Sequence, residues 1–323
     1  MSDLPKSIRI NEEGPREGFQ IEKGPIATAR KIELIDALSL TGLKQIQCVS
    51  FVNPKNVPGW ADAEDVTRGF KKHPGVSYTC LWLNDKGLLR AIAAGRYDIR
   101  GSISLTASEK FLKRNQNRTL KENYAAQAGM IRLFRDNGVK IDRASMMAAF
   151  GCNFEGDMPT PRILEMVGQV FQLAAEHDLD IKLLSLADTM AWATPATIKR
   201  IVGAVREKYP DLELALHLHD TRGMGIANAY AGLEMGVAIY DAAVAGLGGC
   251  PFAAHKSAAG NVCTEDLVFM CEEMGIATGV DLKTLIESAI LAEDIVGHPL
   301  PGSVKGGGNL AVLREQIRAA QAA

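Results

Sequence analysis

Two histidines stand two residues apart at the end of an apolar segment of this 323-residue chain. His217 and His219 follow the run Leu212–Leu216 and precede Asp220 and Thr221. Side chains alternate between the two faces of a strand, so both imidazoles would point to the same side of this one. Because imidazole is the commonest protein ligand for metals, the pair predicts a site for one divalent cation.

Length and composition describe an ordinary globular protein. Hydrophobic residues make up 47% of the chain, charged residues 23%, and the net charge is -2, which gives no electrostatic reason to expect nucleic acid or an anionic membrane as partner. The sequence has no basic-then-apolar leader and no apolar run near the roughly 20 residues of a membrane helix. The six cysteines lack C-x-x-C spacing, which favours buried thiols over a zinc or disulfide framework. We therefore predict a cytoplasmic protein that binds neither nucleic acid nor membrane.

Strand-like and helix-like segments alternate along the chain. Eight segments have the composition of strands: Ile8–Asn11, Gln45–Phe51, Val76–Leu83, Asp98–Leu105, Ile141–Ala149, Ile181–Ala187, Leu212–Leu218 and Ala238–Val244. Helical periodicity is clearest over Ile26–Leu40, Pro161–Glu176 and Pro195–Tyr209. Eight strand–helix repeats predict an α/β fold of the (β/α)8 TIM-barrel type. The alternative is a doubly wound sheet, although no G-x-G-x-x-G follows the first strand.

We expect one catalytic domain over residues 1–323. The barrel would occupy about residues 7–262, additional C-terminal helices about 263–298, and a flexible tail about 303–323.

Polar residues follow several of the predicted strands. In a barrel of this kind the active site lies where the strands end and the following loops begin. Glu17, His217, His219 and Asn261 would then converge and bind one metal ion. Carboxylate, imidazole and amide groups suit magnesium or manganese, with zinc left open on ligand type alone.

The motifs of the chain resemble those of the 3-hydroxy-3-methylglutaryl-CoA lyase family, barrel metallolyases related to isopropylmalate and homocitrate synthases. The resemblance extends from Gly14 to about Leu282 and rests on six motifs: Gly-Pro-Arg-Glu-Gly-Phe-Gln from residue 14, Ser-Phe-Val-Asn-Pro-Lys from 50, Gly-Cys-Asn-Phe-Glu-Gly from 151, Ser-Leu-Ala-Asp-Thr from 185, His-Leu-His-Asp-Thr from 217 and Gly-Leu-Gly-Gly-Cys-Pro-Phe-Ala from 246. It implies a homodimeric (β/α)8 barrel that uses a divalent cation. Such an enzyme cleaves a 3-hydroxy-3-methyl acyl-CoA between C2 and C3, giving acetyl-CoA and a keto acid.

The same resemblance implies roles for individual residues. Arg16 would stabilise the enolate oxygen, with a surface salt bridge as the alternative. Asp188 would accept or relay the hydroxyl proton, or cap a helix, or do both. Cys250 would return a proton to the enolate, although an isolated loop cysteine is more often inert. His217 counts as catalytic as well as metal-binding, and Gln20, with Arg16, would contact the substrate.

Three departures from the family pattern leave the substrate open. Glu17 replaces an aspartate, and Gln47 replaces a glutamate, which would remove a charge near the site. The stretch from Cys250 to Asn261 is two residues longer and carries His255, which could contact the substrate or lie at a solvated loop tip. If the missing glutamate is the proton acceptor, its role falls to Asp188, to a metal-bound water or to no group at all.

Hydroxymethylglutaryl-CoA, giving acetyl-CoA and acetoacetate, is the first candidate substrate. Citramalyl-CoA or a 3-hydroxy-3-alkylglutaryl-CoA is the alternative, since changes in the pocket alter specificity without altering the bond-breaking step. A condensing enzyme and a non-catalytic acyl-CoA-binding barrel also remain open, and the residues that contact CoA are not assigned.

Overall fold

Eight parallel strands form one curled sheet in the computed structural model, which describes residues 4–22, 24–248 and 260–322. The strands are β1 (Arg9–Glu12), β2 (Gln45–Ser50), β3 (Ser77–Leu81), β4 (Gly101–Thr106), β5 (Ile141–Met147), β8 (Leu183–Ala187), β9 (Glu213–His217) and β10 (Ile239–Ala242). A separate antiparallel hairpin consists of β6 (Gly151–Cys152) and β7 (Gly156–Asp157).

The order of the strands identifies the architecture. The sheet runs β3-β2-β1-β10-β9-β8-β5-β4, so each strand lies beside its neighbours in the chain and the first strand pairs with the last. The backbone N–H of Asp98, just before β4, donates to the carbonyl of Tyr78 in β3 at 2.8 Å and links the two remaining strands. A doubly wound sheet would instead reverse its strand order at one point. The predicted TIM barrel is therefore confirmed.

Helices follow the strands and cover the barrel. They are α1 (Gly14–Ile21), α2 (Thr28–Leu38), α3 (Ala63–Gly69), α4 (Asp85–Ala94), α5 (Glu109–Gln116), α6 (Leu120–Asp136), α7 (Thr160–Glu176), α8 (Pro195–Lys208), α9 (Gly225–Glu234), α10 (Thr264–Glu273), α11 (Leu282–Val296), α12 (Val304–Gly307) and α13 (Leu310–Ala322). The side chain of Thr194 caps α8 directly before Pro195, which explains why the proline marks the start of that helix.

The predicted elements agree with the observed ones to within a few residues. All eight predicted strands are present. Six are shorter than predicted at one end or both, because the terminal residues bend away to enter loops, whereas β1 and β4 begin later than predicted and end one residue later. The hairpin β6–β7 was not predicted, since two-residue strands carry no periodic signal. The apolar core extends from Ile8 in front of β1 to Leu300 behind α11 and is continuous.

The C-terminal segment contains four helices. The predicted additional helices are present as α10 and α11. The segment predicted as a flexible tail contains α12 and α13, and α13 has no buried residue, so its flexibility stays a prediction. Arg314 of α13 pairs with Glu273 of α10 through two nitrogens, each at 2.7 Å. The assignment of the whole chain to one catalytic domain stays a prediction.

Five cysteines lie in the described residues, and all five are buried free thiols: Cys48, Cys80, Cys152, Cys263 and Cys271. Among the described helices, none combines the length and the apolar character that crossing a bilayer would require.

Candidate metal centre

Three segments bring the predicted ligands together at the carboxyl end of the barrel. His217 is the last residue of β9, and His219 lies two residues further on. The segment that carries Asn261 pairs with this strand end, since Val262 N–H donates to Leu218 O at 2.9 Å. Glu17 lies in the first turn of α1, which begins directly after β1. Strand ends and one short helix therefore fix all four side chains.

The distances between the four side chains are short. The two Nε2 atoms of His217 and His219 are 3.3 Å apart. The carboxylate oxygens of Glu17 lie 4.0 Å from His217 Nε2 and 3.8 Å from His219 Nε2. Two imidazole nitrogens that bind one ion at about 2.1 Å each stand about 3 Å apart when the ligands are at right angles. The observed spacing therefore fits one shared cation.

The other ring nitrogen of each histidine has its own partner. His217 Nδ1 lies 3.2 Å from the carboxylate of Asp241, in β10, and His219 Nδ1 lies 2.9 Å from the carbonyl of Thr189. Partners of this kind fix the ring orientation and leave Nε2 for a metal. Asp241 itself accepts a hydrogen bond of 2.8 Å from Asn11 in β1.

A buried amide oxygen supports a fit to a metal ion. Asn261 Nδ2 donates to Glu17 at 2.8 Å, whereas Asn261 Oδ1 is buried without a hydrogen-bond partner among the described residues. A buried acceptor without a partner is costly, and a cation would satisfy it. Gly248 packs against the same pair, because a Cβ there would come within 2.8 Å of the Asn261 amide nitrogen. A glycine is required at this position by that contact and by its φ of +93°.

The charges of the cluster are coupled. Burial alone would raise the pKa of Glu17, but the guanidinium of Arg16 and the two imidazoles outweigh it and hold this pKa below its usual range. Burial alone would lower the pKa of His217, but the carboxylates of Asp241 and Glu17 raise it to about 9. Glu17 is therefore ionised, and His217 carries a proton that a metal ion must displace.

Arg16 lies beside the ligand cluster and contacts three side chains. Its guanidinium pairs with Glu13 at 2.5 Å, approaches Glu17 at 3.5 Å and donates to the amide oxygen of Gln47. Gln47 lies at a β-bulge of β2, a feature that redirects side chains and is frequent near active sites. Arg16 is thus a largely buried cation held by several side chains and not a surface arginine in a solvated salt bridge.

Glu13 supplies a carboxylate at the place where Gln47 lacks one. The replacement of a glutamate by Gln47 was expected to remove a charge near the site, yet the carboxylate of Glu13 contacts the same guanidinium. Burial raises the pKa of Glu13 to about 7 despite Arg16. The site therefore contains an additional carboxyl group whose pKa suits proton transfer near neutral pH.

Asp188 is buried immediately after β8. Its Oδ1 accepts backbone hydrogen bonds from Trp192 at 2.7 Å and Ala193 at 3.0 Å, while Oδ2 is buried without a partner among the described residues. Burial raises the pKa of Asp188 to about 6. The alternative of a helix cap is wrong, because Thr194 caps the following helix. One oxygen orders the loop, and the other remains available to accept a proton.

The remaining predicted residues divide into two groups. Gln20 lies one turn after Arg16 on α1, on the same side of the helix, and its Oε1 is buried without a partner among the described residues. Cys250 and His255 lie outside the described residues, as does the longer loop that carries them.

Glu13 and Asp241 were missed by the sequence analysis. Glu13 stands in the pair Glu12-Glu13 before a helix, a position where acidic residues are usually solvated. Asp241 could have been found, since a charged residue in the middle of the apolar strand Ile239–Ala242 is unusual and indicates a partner inside the barrel.

Comparisons with known proteins agree with this arrangement. The family model described as HMGL-like matches residues 7–291. The mitochondrial hydroxymethylglutaryl-CoA lyase of Mus musculus is 40% identical over 288 residues, which is 89% of this chain and 85% of its own.

Two solved structures have the same fold as this chain, and each is 36% identical to it in sequence. The HMG-CoA lyase of Bacillus subtilis superposes with a TM-score of 0.85 at 36% identity and covers 94% of this chain and 98% of its own. The HMG-CoA lyase of Acinetobacter baumannii, solved with coenzyme A and 3-methylmalate, gives a TM-score of 0.83 at 36% identity over 94% of this chain and 96% of its own. The family resemblance noted in the sequence is confirmed, and the chain belongs to the hydroxymethylglutaryl-CoA lyase family.

Proposed function

We propose that this protein is a metal-dependent carbon–carbon lyase that cleaves a short 3-hydroxy-3-methyl acyl-CoA, with hydroxymethylglutaryl-CoA giving acetyl-CoA and acetoacetate as the first candidate reaction. The observation that carries the proposal is the convergence of Glu17, His217, His219 and Asn261 beside the largely buried guanidinium of Arg16. Relatives named as hydroxymethylglutaryl-CoA lyases support the choice of substrate.

The reaction requires two proton movements. A base removes the proton of the C3 hydroxyl, the C3–O bond becomes a carbonyl, and the electrons of the C2–C3 bond move into the thioester as an enolate. An acid then protonates C2, which completes acetyl-CoA. A divalent cation bound by Glu17, His217, His219 and Asn261 would acidify the hydroxyl and orient the substrate oxygens.

Arg16 is proposed to stabilise the enolate oxygen. The enolate is negatively charged only after the bond has begun to break, so a fixed cation stabilises the transition state more than the ground state. The contacts of Arg16 with Glu13 and Gln47 hold the guanidinium in place before the substrate arrives. A guanidinium keeps its proton throughout and cannot itself be the acid.

Asp188 is proposed to accept the hydroxyl proton through Oδ2, the oxygen that orders no loop contact. Glu13 is the second candidate, since burial raises its pKa to about 7. Cys250 is proposed to return a proton to C2. His255 and Gln20 are proposed to contact the acyl group.

The direct test is acetyl-CoA release from a panel of acyl-CoA substrates, followed with a coupled assay. We expect release with magnesium or manganese and its loss on addition of chelator. A matched pair of variants distinguishes an effect on the site from an effect on the fold. Arg16→Gln should slow release by about 10²–10³-fold, whereas Arg68→Gln, at an exposed arginine on α3, should leave it at the wild-type rate. No release from any substrate with metal present would contradict lyase activity.

A second substrate is favoured by one observation, the amide of Gln47 on the guanidinium of Arg16. Gln47 carries no charge where the family pattern has a glutamate. The acyl group of the substrate can therefore differ in charge or length from that of hydroxymethylglutaryl-CoA. Citramalyl-CoA and a 3-hydroxy-3-alkylglutaryl-CoA are therefore included in the panel. The highest kcat/KM identifies the substrate.

The ion, the assembly and the location are part of the same proposal. We propose magnesium or manganese as the ion, which the two oxygen ligands suit, with zinc as the alternative because it also binds imidazole and carboxylate. We propose a homodimer in the cytoplasm, where an acyl-CoA and not a nucleic acid or membrane is the partner. Metal analysis, light scattering and fractionation test these three statements, and the mitochondrial relative makes an organelle the alternative location.

A further inference from the structure

A polar cavity of about 280 Å³ lies at the amino end of the barrel, opposite the candidate metal centre. Five of its lining side chains are cationic: Arg9, Lys44, Arg100, Arg143 and Lys182. The carboxylates in the lining are those of Asp142 and Glu213. The cavity therefore has an excess of positive charge, although the chain as a whole has a net charge of -2.

Carboxylates neutralise only part of this charge: Lys182 pairs with Asp180 at 2.7 Å and Arg100 pairs with Asp142. Asp142 already binds Arg100 at 3.1 Å and Lys140 at 2.8 Å. Glu213 forms no ion pair within the described residues, and neither do Arg9 and Lys44. Like charges that share one cavity repel each other, so this arrangement does not stabilise the fold by itself.

Arg143 is the least satisfied of the five cations. Its Nε is buried without a hydrogen-bond partner among the described residues, and the nearest oxygen of Asp142 is 3.9 Å away. Burial and the neighbouring Arg100 lower the pKa of Arg143. The interior carboxylate of Asp241 is already engaged by Asn11 and His217. A buried donor of this kind needs an acceptor from outside the chain.

We propose that the amino-terminal mouth of the barrel is a binding site for a small phosphate-bearing anion, held by Arg143 on the floor and by Arg9 and Lys44 at the rim. A guanidinium presents N–H groups in a planar fork that matches the oxygens of phosphate. One water occupies about 30 Å³ of liquid. A cavity of about 280 Å³ is several times larger and therefore has room for a phosphate group. The site is separate from the metal centre and does not depend on the proposed lyase activity.

Calorimetric titration of the full-length, metal-loaded protein with inorganic phosphate and with glycerol 2-phosphate tests this site. Both probes are compared with chloride at equal ionic strength, because screening alone weakens interactions between exposed charges. We expect one phosphate per chain, and binding of glycerol 2-phosphate as well if the natural ligand is a phosphate ester. Tighter binding of inorganic phosphate would identify the free ion as the ligand.

Variants locate the bound anion. Arg143→Gln should weaken phosphate binding roughly tenfold or more, because a charge-assisted bond is lost. The double variant Arg9→Gln/Lys44→Gln changes only exposed side chains, should weaken binding similarly and provides the test if Arg143→Gln does not fold. Arg318→Gln on the exposed helix α13 is the matched control and should bind as the wild type does.

Two results would overturn the proposal. One is equal phosphate affinity in the wild type and in both rim and floor variants, which would place the phosphate elsewhere, such as the mouth where the phosphates of an acyl-CoA would lie. The other is a wild type that binds phosphate no better than chloride.

Discussion

The two ends of the barrel differ in the charged groups that they bring together. At the carboxyl end, acids and imidazoles lie within 4.0 Å of one another, and the buried atoms without a partner among the described residues include oxygens of Asn261, Asp188 and Gln20. At the amino end, cations share a cavity, and the buried atoms without a partner among the described lining residues are the Nε of Arg143 and the Oδ1 of Asn11. The first arrangement suits a cation and a proton, and the second suits an anion.

The two ends also differ in backbone conformation. Ala148, Ala191 and Ala245 follow β5, β8 and β10, and all three have positive φ, between 53° and 57°. Non-glycine residues adopt this conformation at a cost that is usually tolerated only where function requires it. At the amino end, Asp178 between α7 and β8 also has a positive φ of 47°, but aspartate adopts this conformation more readily than alanine. The three alanines therefore place the costlier backbone strain in the loops that carry the candidate metal centre.

The largest effect should come from the fixed cation of the carboxyl end. Arg16→Gln should lower kcat by about 10²–10³-fold, the range found when a preorganised donor to a developing oxyanion is removed. Metal content should stay at the wild-type level, because Arg16 is not a proposed ligand. Steady-state kinetics with metal analysis check this. A normal kcat with a raised KM would show that Arg16 binds the substrate without stabilising the enolate.

The next effect concerns the residue that orients a ligand. Asp241→Asn should weaken metal affinity by about 10–100-fold, since Asp241 holds the Nδ1 side of His217. The amide keeps the size of the side chain, so the fold should persist. Competition with a fluorescent chelator measures the affinity. Unchanged affinity would show that His217 does not bind the metal or needs no orienting partner.

The sequence alone predicted the barrel and the convergence of Glu17, His217, His219 and Asn261, because alternation identified the strands and the ligands sit at strand ends. The contacts of Glu13 and Asp241 depend on information that a linear pattern lacks, although the charge of Asp241 within an apolar strand was a visible signal. The contact of Asn11 with Asp241 joins residues 230 positions apart and exists only because β1 pairs with β10. The bulge that places Gln47 on Arg16 is likewise a property of the pairing between strands.

The pH dependence of metal binding tests the charge coupling at the carboxyl end. The pKa of His217 is about 9 in the metal-free protein, so His217 is protonated below that pH and a metal must displace the proton. Apparent affinity should fall about tenfold for each unit of pH below 9. Calorimetry at pH 7.5 in buffers of different ionisation enthalpy should detect close to one released proton. Release of none would mean that His217 is neutral or is not a ligand.

The smallest effect tests whether the two ends are independent. Asn11 lines the amino-end cavity and also donates to Asp241, which contacts His217. Asn11→Ala removes one hydrogen bond two steps from the metal, so metal affinity should fall only roughly threefold. If the loss equals that of Asp241→Asn, the polar chain acts as one unit and the two ends are coupled. If nothing changes, Asp241 is held by the barrel without Asn11, and the ends act separately.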